Sequence, residues 1–213
     1  QFLAGLVGGN YYAGIAIRLG ILDSIRTSHN EQDMKGIVFT TFNEMVENEV
    51  GIDMWEAILD SVKPESEGIY TSVENFPDAE LFAMVSELSE RTDTPITELL
   101  EAFGQYLFHV LNMKHGVFVE EQSDFLEFLK SIENVIHKEV KKLYPNPNLP
   151  TLDWEQQDDK SLDLYYRSPR KLCNLAEGLI KGAAQRYEVE YDITHSPCMH
   201  EGSDHCCFKI KLI

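Results

Sequence analysis

Three prolines in quick succession, Pro145, Pro147 and Pro150, split this chain into two stretches with different hydrophobic periods. A proline lacks the backbone donor and blocks helix continuation, so no regular element crosses this run. Ahead of it, apolar residues recur every three to four positions, as in helices buried along one side. Behind it, the spacing falls to two over several short segments, as in half-buried strands. Helices first and strands afterwards define an α+β chain: an N-terminal helical subdomain, then an antiparallel sheet with a packed helix.

The helical half resolves into segments. Residues 42–50 form a short amphipathic stretch, and Asp53 is placed to cap a helix over 54–62. Pro64 and the polar run after it make a loop. Asp78 precedes a helix over 80–91 with Leu81, Phe82, Val85 and Leu88 on one face. Thr94 and Pro95 open a helix over 96–112, with proline at its first position behind a capping hydroxyl. Ser123 opens the longest helix, running to about residue 143. Its stripe is Phe125, Phe128/Leu129, Ile132, Ile136, Val140 and Leu143. In the second half, residues 161–168 read as a strand. Residues 171–185 read as a helix lined by Leu172, Leu175, Leu179 and Ala183. Residues 186–195 and 205–213 alternate again, the latter as Phe208, Ile210 and Leu212.

The chain has 213 residues, enough for one domain with a substantial core or a domain plus an extension. Apolar residues make up 43% and charged residues 25%, a globular balance. Lys and Arg number 18 against 36 Asp and Glu, a formal charge of −18. That excess argues against nucleic acid and anionic membrane surfaces as partners. It suits a partner with basic residues, or simple solubility. Four cysteines in this length do not make a disulfide scaffold. Cys198, Cys206 and Cys207 crowd among His195, His200 and His205, which points to a metal before a disulfide.

Two features carry chemistry. His137 lies on the longest helix, one position past Ile136 and so about 100° from the centre of the stripe. A neutral imidazole is a good axial ligand for haem iron, although a lone helical histidine is more often a surface or core residue. Tyr166, Ser168 and Arg170 share one face if that strip is extended. Two hydroxyls and a guanidinium make a receptor for carboxylates. Taken alone, a surface strand whose arginine pairs with any nearby carboxylate is the better account of the strip. A haem needs both features: a ligand for its iron and donors for its propionates.

The surrounding residues resemble the haem nitric oxide/oxygen-binding (H-NOX, or HNOB) family over 34–213. The run Asn134-Val135-Ile136-His137-Lys138-Glu139-Val140 resembles its proximal helix, whose histidine is the protein ligand to iron. Leu149-Pro150-Thr151-Leu152 is similar to its Leu-Pro-x-Leu turn, in which the proline packs on the porphyrin and bends it. Tyr166, Ser168 and Arg170 match its propionate clamp. The resemblance implies haem b buried between the two halves, with His137 on the iron and Pro150 against the ring. In oxygen-binding relatives a tyrosine, supported by a tryptophan and an asparagine, donates to bound O2. The matching positions here are Leu175, Phe42 and Leu107, and none of these side chains can donate. Iron-bound O2 carries partial negative charge and gains from a donor, whereas bound NO is nearly neutral. The expected ligands are therefore NO and CO, and not O2.

The resemblance further implies a cytoplasmic, non-enzymatic gas sensor of the bacterial stand-alone kind, related to the haem domain of soluble guanylate cyclase. It would act in trans on a histidine kinase or a cyclic-di-GMP enzyme (diguanylate cyclase or phosphodiesterase). It also implies a zinc site seen in a subset of bacterial members, at Cys173, His195, Cys198 and Cys206. Three cysteines and a histidine suit tetrahedral Zn2+. On a strand Cys206 and Cys207 point to opposite faces, so one of them joins the site. His200 and His205 compete for the histidine position. An alternative function is a zinc/cysteine redox switch acting on the same kind of partner. A haem peroxidase or dioxygenase is disfavoured, because Phe42, Leu107 and Leu175 offer no acid–base group.

Met34-Lys35-Gly36 is similar to the usual family start, so residues 1–33 read as an N-terminal extension ahead of the haem domain over 34–213. The apolar part of that extension is short for a membrane helix and lacks a basic secretory n-region, so no membrane insertion is expected. An upstream or boundary sequence, a short amphipathic addition and the tail of a preceding domain all remain open for it.

Overall fold

The computed structural model describes residues 33–143 and 147–213; the expectations for residues 1–32 and for Pro145 lie outside them. The helical half contains α1 (Gly36–Glu49), α2 (Ile52–Val62), α3 (Asp78–Thr92), α4 (Ile96–His115) and the single turn α5 (Val117–Glu120). β1 (Asp33–Lys35) and β2 (Asn75–Pro77), distant in sequence, form a two-stranded antiparallel sheet beside it. Next come α6 (Phe125–Ser131), a π turn (Ile132–Ile136) and α7 (His137–Leu143). The second half holds β3 (Thr151–Asp158), β4 (Ser161–Arg167), α8 (Cys173–Arg186), β5 (Tyr191–His195), a short 3-10 turn (Met199–Glu201) and β6 (Cys206–Leu212). The strands form one antiparallel sheet in the order β3-β4-β6-β5. No helix among the described residues is long and apolar enough to cross a membrane.

Two apolar cores result. The helical core gathers Phe39, Phe42 and Val46 of α1, Ile58 of α2, Leu81, Met84 and Leu88 of α3, and Phe103 and Leu107 of α4. The sheet core gathers Phe125, Phe128 and Leu129 of α6, Leu162 and Leu164 of β4, and Phe208 and Ile210 of β6. Helices α4 and α8 serve both. Leu107 and Leu175 face the helical core, while Phe108, Ile180 and Ala183 face the sheet core.

The contact between α4 and α8, the most extensive between helices here, is made backbone to backbone. A Cβ on Gly104 would sit 2.2 Å from the Leu175 carbonyl oxygen, and one on Gly178 would sit 2.0 Å from that of Glu101. Only glycine permits this approach.

The structure corrects several expectations. Helix α1 begins at Gly36, six residues before the expected start at 42. Asp53 does not cap α2; it lies in its first turn behind Gly51. Phe82 is 38% exposed, since Leu81, Met84, Val85 and Leu88 alone fill the buried face of α3. Thr94 makes no cap and Pro95 itself stands at the N-cap of α4. Asp124, not Ser123, caps α6 by accepting from the Glu127 N–H at 2.9 Å. The expected helix to residue 143 is broken by the π turn. Strand β3 escaped the sequence reading because its residues are mostly exposed and polar: it is an edge strand with little apolar alternation.

A G178A substitution drives a methyl into the backbone of α4. We expect it to cost about 1–3 kcal/mol, as overpacking of a tight interface does, measured by urea denaturation; a neutral G178A would show that the helices can move apart freely.

Candidate functional site

The π turn decides where His137 points. The His137 N–H bonds back to the Ile132 carbonyl, five residues earlier. In an unbroken α-helix these two residues would lie about 140° apart. In the π turn they stack on one side, so His137 joins the buried face instead of lying off it. The imidazole is 9% exposed, and its Nδ1 lies 2.8 Å from Glu133 Oε2. Burial pulls the imidazole below its ordinary range, against its hydrogen bond to the Glu133 carboxylate. The neutral ring therefore donates from Nδ1 and carries its lone pair on Nε2, the arrangement a metal-ligating histidine needs. Glu133 Oε2 also accepts the Leu152 N–H at 3.3 Å, and Lys141 Nζ lies 3.4 Å from Oε1. Burial pushes the Glu133 carboxyl up, but these three partners bring it below the usual carboxylate range. Pro150 is half-buried, two residues ahead of Leu152.

Strand β4 ends at Arg167, and the chain turns at once, with Lys171 N–H on the Ser168 carbonyl at 3.1 Å. The strip from Tyr166 to Arg170 is thus extended only at its start. Even so, Tyr166 and Ser168 are buried, and the Arg170 side chain is 6% exposed. Burial lifts the Tyr166 hydroxyl to about 12, so it remains a donor. The Arg170 guanidinium gives Nε to Asp78 Oδ2 at 2.5 Å, Nη1 to the Asn148 carbonyl at 2.7 Å and Nη2 to the Asp33 carbonyl at 2.6 Å. A guanidinium has five N–H groups, so two are left for a further carboxylate. Asp78 Oδ1 is buried without a hydrogen-bond partner. Burial raises the Asp78 carboxyl, while Arg170 pulls it back.

Phe42, Leu107 and Leu175 come together in the helical core, all nearly fully buried, with the Phe103 ring 5.2 Å from that of Phe42. All three side chains are apolar, so this part of the helical core offers no hydrogen-bond donor from them.

A second cluster sits where α8, β5 and β6 meet. The ligand atoms of Cys173, His195, Cys198 and Cys206 all lie within 4.8 Å of one another. The Cys198 sulfur is 3.9 Å from Cys173 Sγ and 3.8 Å from Cys206 Sγ. These are not disulfides. They match the spacing of about 3.8 Å between ligands of a tetrahedral metal with bonds of about 2.3 Å to sulfur. His195 Nδ1 faces Glu177 Oε2 at 3.5 Å, and its Nε2 is buried without a partner. Burial and the neighbouring sulfurs push the Cys173 thiol well up, so a cation is what lets three such thiols lie together as thiolates. The donor set, its spacing and the orphaned imidazole nitrogen all fit zinc. Cys207 lies on the other face of β6, opposite Tyr165. His200 Nε2 is taken by the Lys171 carbonyl at 2.8 Å, and His205 Nδ1 by Asp204 at 2.5 Å.

The model of the haem-NO-binding family matches residues 35–195. This chain belongs to the haem-NO-binding family. It is 38% identical to an H-NOX protein of Shewanella oneidensis, solved in its Fe(II)NO ligation state, with a TM-score of 0.80 over 84% of this chain and 99% of that one. It is 32% identical to the unliganded Fe(II) H-NOX protein of K. algicida, with a TM-score of 0.79 over 84% of this chain and 97% of the other. It is 27% identical over 165 residues to soluble guanylate cyclase gcy-35 of Caenorhabditis elegans, covering 74% of this chain and 24% of that protein. The chain thus spans about a quarter of the length of that cyclase.

The sequence reading missed Glu133 and Asp78 as partners of site residues. Glu133 was within reach: it stands four residues before His137, a neighbouring helical position. Asp78 was not, since it lies 92 residues from Arg170.

Truncating Arg170 leaves Asp78 as a buried, uncompensated charge. R170A and D78N are each expected to lose about 3–5 kcal/mol, measured by urea denaturation; small losses in both would mean the pair is solvated.

Proposed function

We propose that this chain is a haem-based sensor of nitric oxide, with residues 34–213 as the sensing domain and residues 1–33 as an extension. The observation that carries the reading is His137: a buried, neutral imidazole whose Nδ1 is held by a carboxylate, with Nε2 as ligand nitrogen for haem b. Tyr166, Ser168 and the two spare N–H groups of Arg170 receive the propionates, and Pro150 packs on the ring. Haem held there would supply a ferrous iron able to take diatomic ligands such as NO. The apolar wall of Phe42, Leu107 and Leu175 admits NO and CO and gives bound O2 no hydrogen bond, while burial of a partly charged ligand without a donor is unfavourable. The relatives solved with NO and with CO support this choice of ligands.

Through His137, the first residue of α7, the state of a bound haem would reach that helix, and the helical half would shift against the sheet half. A separate protein that binds the two arrangements differently, a histidine kinase or a cyclic-di-GMP enzyme, is then regulated. Cys173, His195, Cys198 and Cys206 hold zinc and tie α8 to the last two strands. Their spacing favours a second reading, a redox switch at the same cluster, since zinc thiolates are oxidisable.

The absorption spectrum of the reduced protein tests the first reading. The Soret band should move on adding NO or CO and no stable oxy complex should form in air; a lasting oxy spectrum would sink the proposed selectivity. L175Y should gain some O2 affinity, read from the same spectrum in air. Metal analysis tests the cluster: C198S should lose zinc and C207S should keep it. Regulation of a partner by oxidant in haem-free protein would favour the redox switch.

A further inference from the structure

A single carboxylate oxygen links the proximal histidine to the sheet. Glu133 Oε2 lies 2.8 Å from His137 Nδ1 and accepts the Leu152 N–H at 3.3 Å. Glu133 sits inside the π turn, while Leu152 is the second residue of β3 and packs on the sheet core. The pairing is not a loose surface contact, because the two side chains are 25% and 11% exposed. An exposed pair four residues apart on a helix contributes little and has no fixed geometry. Here the second donor, a backbone N–H on another element, fixes the carboxylate from the far side.

We propose that Glu133 is the positioning residue of the proximal ligand: it holds His137 with Nε2 toward the iron, strengthens the iron–histidine bond by drawing on the Nδ1 proton, and couples that bond to β3 through Leu152. This rests on haem ligation by His137. A carboxylate acceptor makes an imidazole more basic and a stronger donor to metal, and loss of such an acceptor typically costs about 10–100-fold in metal affinity or activity. Because both donors share Oε2, a change in the angle or distance of His137 is felt at the first residues of β3, beside Pro150.

The test compares wild type, E133Q and E133A as ferrous haem proteins without added ligand. Resonance Raman reads the iron–histidine stretch directly. It should fall in frequency from Glu to Gln to Ala, and the ferric/ferrous midpoint potential should rise in the same order. Haem transfer to apomyoglobin should be about tenfold faster in E133A. Amide exchange at Leu152 should quicken in E133A. K141A, which removes only the contact to Oε1, should leave the stretch where it is in wild type. If E133A fails to hold haem, E133Q against K141A carries the same comparison. An unchanged stretch and potential across the Glu133 series would overturn the proposal while leaving haem ligation intact. Absence of an iron–histidine band in wild type would overturn the ligation reading itself, and this proposal with it.

Discussion

The close approach of α4 and α8 at Gly104 and Gly178 is the constraint on which the two halves depend. It lets the two helices touch through their backbones, so each can send side chains into both cores. Leu107 and Leu175, the apolar wall, come one from each helix. Cys173, one of the three cluster cysteines, lies only two residues from Leu175 on α8. Gly182 extends the contact by admitting the Phe108 side chain, where a Cβ would fall 2.7 Å from that residue's own Cβ. Any change in the spacing of this pair therefore reaches the apolar wall and the cysteine cluster together.

Arg170 supplies the complementary tie at the other end. It joins the turn after β4 to β1, to the start of α3 and to the segment before Pro150. A buried ion pair is weak support for stability, because desolvation offsets much of its attraction. What it supplies is placement. The guanidinium brings four segments far apart in sequence to one point and keeps two N–H groups for a ligand. A propionate bound there would add its charge beside Asp78, whose carboxyl already feels its burial.

The division at the prolines, the order of helices and strands and the single sheet were legible because each rests on local periodicity. So were the opposite faces of Cys206 and Cys207 on β6, which follow from strand alternation alone. What failed was of a different kind. Strand β3 carries too little buried apolar surface to show alternation. The π turn is a one-residue change in helical spacing that no stripe of Ile132 and Ile136 betrays, yet it turns His137 inward. The Asp78–Arg170 pair bridges separate elements, and charge counting along a chain so rich in acids cannot select one partner. The orientation of Arg170 was inferred from an extended strip, whereas a turn starting at Ser168 delivers it.

The two histidines at the candidate metal centres each have a carboxylate beside Nδ1. His137 has Nδ1 on Glu133 at 2.8 Å, and His195 has Nδ1 facing Glu177 at 3.5 Å. At His137 the hydrogen bond fixes the tautomer and leaves Nε2 as the donor atom, whereas Glu177 makes only a longer ionic contact with His195. The two differ in what stands behind the carboxylate. Glu133 also receives a backbone N–H from β3, so its histidine is referenced to the sheet. Glu177 stands four residues after Cys173 on α8, so that helix supplies both a sulfur and the carboxylate that faces the imidazole of β5. The cluster thus lies where α8 meets β5 and β6, and Glu133 joins the π turn to β3, at the opposite edge of the sheet.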